Sequence, residues 1–346
     1  MNTTTSTQPN FFFTTGSAIN EIILNNKKNI IEVVRKTYIE HHRNRTLNPD
    51  SYFLRFPDRP NARIIALPAA LTGEAPISGI KWISSYPENV ICNLQRASAV
   101  LILNDYDTGY PFACLEASLI SAARTAASAV LAADVLSPRL NRRCKKVTFI
   151  GAGVISKNIL DFFHSSSWVF EELDVVDLNQ VDAIRFANFA SEMYGSSLIA
   201  TASTSIDSAV KGADIIVLAT TTSEPYLLKS DLFNSGQVVL NISLRDLSPE
   251  IILTANNVFD DVEHCMKANT SPHLAEQKFG NRNFVTGTLA EAIVGDIQLD
   301  ENKPIIFSPF GLGILDLALG TYLFNLADQA GKNIAVPGFF CNVSRW

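Results

Sequence analysis

The chain has 346 residues, 47% of them hydrophobic, and 28 basic against 34 acidic side chains for a formal charge of -6. At roughly 100–200 residues per domain this length accommodates two cores, and the acidic balance excludes the broad cationic field that a nucleic-acid backbone requires. No uninterrupted apolar run approaches the roughly 20 residues that span a bilayer, and residues 1–10 lack the basic start and apolar centre of a signal peptide, so the sequence reads as a soluble, cytoplasmic protein with a disordered N-terminal tail and no membrane partner.

In chain order, the apolar spacing of Ile22, Ile23, Ile30, Ile31, Val33, Val34 and Tyr38 predicts one or two amphipathic helices over 19–42. Residues 52–68, 77–83 and 98–104 alternate or run apolar between Pro and Gly breaks, which predicts three or more antiparallel strands. The turn 105–111, with Asp105, Gly109 and Pro111, then joins 100–103 to 112–115 as a hairpin. A helix rich in small residues follows over 118–136. Another long apolar helix over 311–330 returns the chain to its first domain. The predicted organisation is a discontinuous α+β substrate-binding and dimerisation domain, 1–137 plus 312–346, around an α/β dinucleotide domain, 138–311. The apolar return helix and sheet suggest subunits paired as a homodimer.

The stretch 147–177 is the most informative. Val147-Thr148-Phe149-Ile150 reads as a buried strand, Gly151-Ala152-Gly153 as a tight turn, and the residues from Val154, Ile155 and Ser156 onward as a helix leading to a second strand that ends in Asp177. Gly151 permits the turn, and Gly153 lets backbone approach a pyrophosphate seated on the helix N-terminus. Ser156 stands where a third glycine is usual, a position that mainly needs a small residue. Asp177 is placed to accept hydrogen bonds from ribose hydroxyls, and with no arginine directly after it NAD is favoured over NADP. Apolar runs at 214–218, 238–242, 257–260 and 305–307 complete a doubly wound, Rossmann-type parallel sheet. Thr220 and Ser308, each following such a run, are placed with the cofactor. A Rossmann-like domain without a cofactor is the competing reading.

Lys81 lies in the otherwise apolar Ile77-Ser78-Gly79-Ile80-Lys81-Trp82-Ile83, so a carboxylate or an anionic ligand should face it. Arg124, in a helix of Ala, Ser and Thr, suits bidentate recognition of a carboxylate. For both residues, a salt bridge between domains is the structural alternative. Asp246, in a loop after the strand at 238–242, falls at the nicotinamide edge of the sheet as a candidate base, or serves as a cap for the helix begun by Ser248-Pro249. Arg55, Arg59, Arg63 and Arg96 concentrate positive charge in the first domain of an acidic protein. The cysteines, Cys92, Cys114, Cys144, Cys265 and Cys341, form no Cys-x-x-Cys pair and read as reduced, mostly buried thiols. No histidine spacing suits zinc, and His264-Cys265 is the only neighbourhood that invites a metal.

Gly79-Ile80-Lys81, Leu103-Asn104-Asp105 with Thr108-Gly109-Tyr110-Pro111, Arg124-Thr125-Ala126-Ala127, the glycine turn and the Asp246 loop together resemble the ornithine cyclodeaminase and mu-crystallin family over nearly the whole chain. Residues 63–68, 77–83, 95–98 and 116–121 look most like its dehydrogenases that supply 2,3-diaminopropionate for siderophores and peptide natural products. The resemblance implies NAD-dependent oxidation of N-(1-amino-1-carboxy-2-ethyl)-glutamate to 2-oxoglutarate and 2,3-diaminopropionate. It implies carboxylate binding by Arg55, Lys81 and Arg124, with Lys81 also orienting water, and proton transfer by Asp246; Arg96 is added for a further carboxylate, and Ser308 and Gly311 for the nicotinamide pocket. The alternatives within the family are ornithine cyclodeaminase, for which no residue supplies a clear acid to hold the distal ammonium, and a ketimine reductase, which Asp177 disfavours. A crystallin-like protein that sequesters a small ligand is the non-catalytic alternative, against which the retention of Lys81 and Asp246 counts.

Overall fold

The computed structural model describes residues 9–341, so most of the expected N-terminal tail, residues 1–8, lies outside the described residues. The chain divides into two compact units. One comprises Met1–Asn26, Arg43–Ser121 and Leu312–Trp346, the other Lys27–His42 and Ala122–Gly311.

The first unit is built on an eight-stranded sheet. Its strands are β1 (Phe12–Thr14), β2 (Thr46–Leu47), β3 (Tyr52–Phe56), β4 (Arg59–Leu71), β5 (Ile77–Ser85), β6 (Ala97–Asp105), β7 (Pro111–Glu116) and a C-terminal strand, Ile334–Ala335. β3 to β7 run antiparallel in sequence order, while β1 lies parallel to β7. The hairpin at Asp105 turns as its sequence predicts, Asp105 accepting from the Thr108 backbone N–H at 2.8 Å. The predicted strand at 52–68 is two strands, reversed at Pro57-Asp58. The C-terminal helix Gly313–Gln329 packs on β4, β5 and β6. Small residues set how closely it lies: a Cβ at Gly320 would come 2.1 Å from Leu101, and one at Gly79 would come 2.3 Å from the Ile102 carbonyl and 2.8 Å from Leu317.

The second unit carries eight parallel strands. β8 (Arg143–Ile150), β9 (Val169–Val176), β10 (Ile199–Ala202), β11 (Ile215–Leu218), β12 (Val238–Asn241), β13 (Asn256–Phe259), β14 (Val285–Thr288) and β15 (Ile305–Ser308) lie in the order β10-β9-β8-β11-β12-β15-β13-β14. β11, β12 and β13 are buried at every residue, the mark of parallel strands covered on both faces. Chain order reverses between β8 and β11, which opens the ligand crevice of a doubly wound sheet at their carboxyl ends.

The domain boundary is displaced from the one expected. Residues 27–42 and 122–137 were assigned to the first domain, yet they cluster with the second unit. The helix α1 (Gly16–His42) breaks at Asn26, where φ is -130° and ψ 18°, and its second half is tied to the second unit by Lys27–Asp161 at 2.7 Å and by Tyr38 Oη donating to Ser128 at 3.1 Å. The helix α2 (Ser118–Leu136) is anchored there through Asp134, which accepts from Arg142 and from the Trp168 indole. Among the described residues α2 alone is long and apolar enough to cross a membrane, and two thirds of its apolar window is buried within the fold, as in a core helix. The cysteines also differ from expectation: all are free, but only Cys144 and Cys265 are buried.

Gly79→Ala should lower stability by about 1–3 kcal/mol, because the added methyl meets a backbone carbonyl that cannot turn aside. Denaturant unfolding checks this, and an unchanged midpoint would contradict the close packing.

Candidate active site

The glycine turn after β8 is shaped by two different requirements. Gly151 has φ +98° and its Cβ would lie 2.5 Å from the Ala219 carbonyl, so no side chain fits. Its N–H donates to Val176 O at 2.8 Å, locking the turn to β9. Gly153 precedes the helix α3 (Val154–Ser165), and nothing lies within 4 Å of where its Cβ would be. That open space over a helix N-terminus is what a pyrophosphate fills. Val154 is exposed and Ile155 half-buried in the first turn. Ser156 is buried and donates to Gly151 O at 2.5 Å, so the residue in the third glycine's place fastens the turn by its hydroxyl. Asp177, one residue past β9, accepts from Ala152 N at 2.7 Å and Asn179 N at 2.8 Å, which aims its carboxylate at the turn. These residues fit a dinucleotide.

Asp246 is fully buried in the loop after β12. Thr220 Oγ1 reaches both of its oxygens at 2.9 Å, and Tyr226 Oη donates at 3.1 Å. Burial pushes the carboxyl above the ordinary 3.8, while the hydroxyls of Thr220 and Tyr226 favour the ionised form and limit the rise. The helix-cap reading is overturned: Ser248 caps the helix Pro249–Leu253 by accepting from Ile251 N. Thr220, expected beside the cofactor, is thereby a hydrogen-bond donor to the acid. Ser308 is buried at the end of β15, where Asn241 Nδ2 donates to its hydroxyl at 2.9 Å.

Arg124 of α2 lies against Gly311. A Cβ at 311 would sit 2.6 Å from Nη1 of Arg124, which would have to shift, and φ there is +98°, which favours glycine. The buried Asp260 fixes this turn by accepting from Phe310 N at 2.9 Å and Gly311 N at 2.7 Å. At His264-Cys265, the imidazole meets Asp261 at 3.0 Å and the thiol donates to Asp260 and to Ser308 O. Among the described residues, no group of three or more His, Cys, Asp or Glu is arranged to hold a metal.

In the first unit, Lys81 on β5 is 2% exposed and donates to Asp316 at 2.6 Å and to Ser121 at 3.2 Å. Asp316, in the first turn of the C-terminal helix, is wholly buried. The salt bridge therefore lies within the first unit and not between domains. Arg55 is exposed on β3 opposite Arg63, with its guanidinium 5.1 Å from the Phe53 ring. Arg96 is half-buried and donates to Ser85 Oγ at 2.9 Å. Sequence reasoning missed Asp316, although one acid between leucines in an apolar helix was its signal. It also missed Tyr226, for which spacing offered none.

Asp316→Asn removes the helix-borne counter-charge of a buried ammonium and should cost about 3–5 kcal/mol, whereas Lys81→Met combined with Asp316→Leu should recover most of that loss. Urea titration of the single and double variants is the measurement, and a double variant no more stable than the single would contradict the pairing.

With this geometry in view, the chain can be set beside known proteins. Residues 20–331 match the ornithine cyclodeaminase/mu-crystallin family. The N-((2S)-2-amino-2-carboxyethyl)-L-glutamate dehydrogenase of Staphylococcus aureus is 32% identical over 316 residues, covering 88% of this chain and 92% of that protein. Among solved structures, the Δ1-pyrroline-2-carboxylate reductase of Thermococcus litoralis with NADH and L-proline has a TM-score of 0.84 at 23% identity, over 94% of this chain and 100% of that one. An archaeal alanine dehydrogenase dimer with bound NAD has a TM-score of 0.82 at 22% identity, over 95% of this chain and 100% of that one. With the family matched from one unit through the other, the chain belongs to the ornithine cyclodeaminase/mu-crystallin family.

Proposed function

We propose that this chain is the NAD-dependent dehydrogenase that converts N-(1-amino-1-carboxy-2-ethyl)-glutamate to 2-oxoglutarate and 2,3-diaminopropionate. The observation that carries this reading is the likeness to the S. aureus dehydrogenase across nine tenths of its length, joined to the cationic side chains of the first unit. NAD is the cofactor: the S. aureus relative is a dehydrogenase, and fold neighbours hold NADH or NAD. Gly151, Gly153, Val154, Ile155 and Ser156 would hold its pyrophosphate and Asp177 its ribose, with Thr220 and Ser308 on the same sheet edge. When bound, NAD supplies the hydride acceptor for the glutamyl Cα.

The chain's own residues do the rest. Lys81, Arg55 and Arg124 bind carboxylates, Arg96 takes a further one, and Lys81 orients the water that adds to the imine. Asp246, ionised, accepts the proton of the secondary amine and returns it to the imine nitrogen; ionised again, it takes a proton from the adding water and passes it to the carbinolamine nitrogen, so that the C–N bond breaks to give the keto acid and the diamine. We assign the protein to the cytoplasm and to a homodimer formed through the first unit. The row Tyr52, Ala66, Trp82 and Val100, in register across β3 to β6, leaves its aromatic and valine side chains exposed on the outer sheet face.

Purified protein given this substrate and NAD should form NADH, 2-oxoglutarate and 2,3-diaminopropionate in equal amounts. Inactivity on it, with proline and ammonia made from ornithine, would establish the cyclodeaminase instead.

Asp246→Asn should keep NAD affinity and lose most turnover. Because the base works ionised and burial raises its pKa, kcat/KM should rise with pH along an acidic limb lying above 3.8. Tyr226→Phe removes a bond to the ionised form, so that limb should move to higher pH. A limb that stays in place would separate Tyr226 from the titrating group.

A further inference from the structure

One face of the first unit's sheet carries more cationic residues than the reading above uses. Side chains alternate along a strand, so Lys81, Ile83 and Ser85 of β5 share a face. In register with them on β4 stand Leu67, Ile65 and Arg63, and on β6 Leu101, Ala99 and Ala97. Arg55 of β3 stands directly opposite Arg63. Arg96 reaches the same face, since its Nη1 donates to the hydroxyl of Ser85, a side chain itself 8% exposed.

The C-terminal helix covers only one end of this face. A Cβ at Gly313 would touch Leu67, Asp316 holds Lys81, and Leu317 lies against Gly79. Past Lys81 the face continues through half-buried Ile65 and Ile83 to Ser85. At about 3.3 Å per residue that is roughly 13 Å of strand, a span that arginine side chains shorten by reaching back along it. Lys81 thus stands at one end and Arg55, Arg63 and Arg96 at the other, with apolar surface between.

We infer that Arg63 and Arg96, with Arg55 beside them, form a second carboxylate subsite on this face, which reads a carboxylate remote from the reacting carbon and selects tricarboxylates over simple amino acids. The inference rests on the proposed reaction and supplies its specificity. Ser85 is the positioning residue that holds the Arg96 fork toward the subsite. Arginine suits the task because its planar fork pairs with a carboxylate through two hydrogen bonds.

The test compares kcat/KM for the tricarboxylate with that for two truncated substrates, N-(2-aminoethyl)-glutamate and the analogue in which a methyl group replaces the glutamyl side-chain carboxymethyl. Arg63→Gln and Arg96→Gln should each lower the ratio of tricarboxylate to one truncated substrate by about 10- to 100-fold, mainly through KM. Arg63→Lys and Arg96→Lys, which keep the charge and lose the fork, should recover part of it. Ratios that stay at the wild-type value, or losses equal on all three substrates, would overturn the subsite and leave the reaction standing. Wild-type protein inert on the tricarboxylate but active on a truncated substrate would overturn the proposed reaction and the subsite together.

Discussion

The constraint on which the first unit depends is the need to keep an ammonium charged inside a sheet. Lys81 sits among apolar neighbours on β5, and an isolated charge there would cost several kcal/mol. Its counter-charge, Asp316, lies 235 residues further along the chain. The sheet is therefore incomplete until the chain has passed through the second unit and returned as the Gly313–Gln329 helix. Small residues let that helix come close enough, Gly79 on the strand and Gly320 on the helix, so the 2.6 Å bond and the tight packing are one arrangement. A buried ion pair of this kind adds little net stability compared with apolar residues. In the proposed reaction its ammonium binds carboxylate and orients water, which apolar residues could not do.

The second unit solves the opposite problem, how to bring negative charge to backbone. Gly151 and Gly153 serve different ends: one cannot accept a Cβ because a carbonyl is there, the other leaves its surroundings open. Ser156 then binds the turn with its hydroxyl, which a glycine could not do. Asp246 is treated differently again. It is dry, which pushes it toward the neutral form, and it is given two hydroxyl donors that pull it back. In the proposed reaction this carboxyl both accepts and returns a proton, as general acid-base catalysis requires.

The fold was legible because its signals are local. Alternation in β5 and β6, the hairpin at Asp105, the all-apolar strands of the parallel sheet and the glycine turn each declare themselves within ten residues. The domain boundary was not. Asn26 breaks α1 without a proline or glycine to mark it, and the ties that draw 27–42 and 122–137 into the second unit, such as Lys27–Asp161 and Trp168–Asp134, join residues distant in sequence. The candidate site divides in the same way. Lys81 and Asp246 stood out as charges in apolar or strand-end settings, but Asp316 and Tyr226 acquire meaning only from what they touch. Ser248 shows a local signal that composition left open, since the acid two residues earlier was as good a cap by composition.

In the proposed reaction, rate and selectivity would be carried by different kinds of structure. Lys81, Asp316 and Asp246 are buried, each fixed by short bonds, and any change there alters a charge in a dry setting where electrostatic effects are large. Arg55, Arg63 and Arg96 sit on more open backbone of β3, β4 and the approach to β6, where a side chain can change with little disturbance to the core. Solved structures that share this fold include a Δ1-pyrroline-2-carboxylate reductase and an alanine dehydrogenase. In the proposed reaction, the buried groups would keep constant the hydride chemistry at a carbon bearing nitrogen and carboxylate, while the strand ends would decide which further groups that carbon carries.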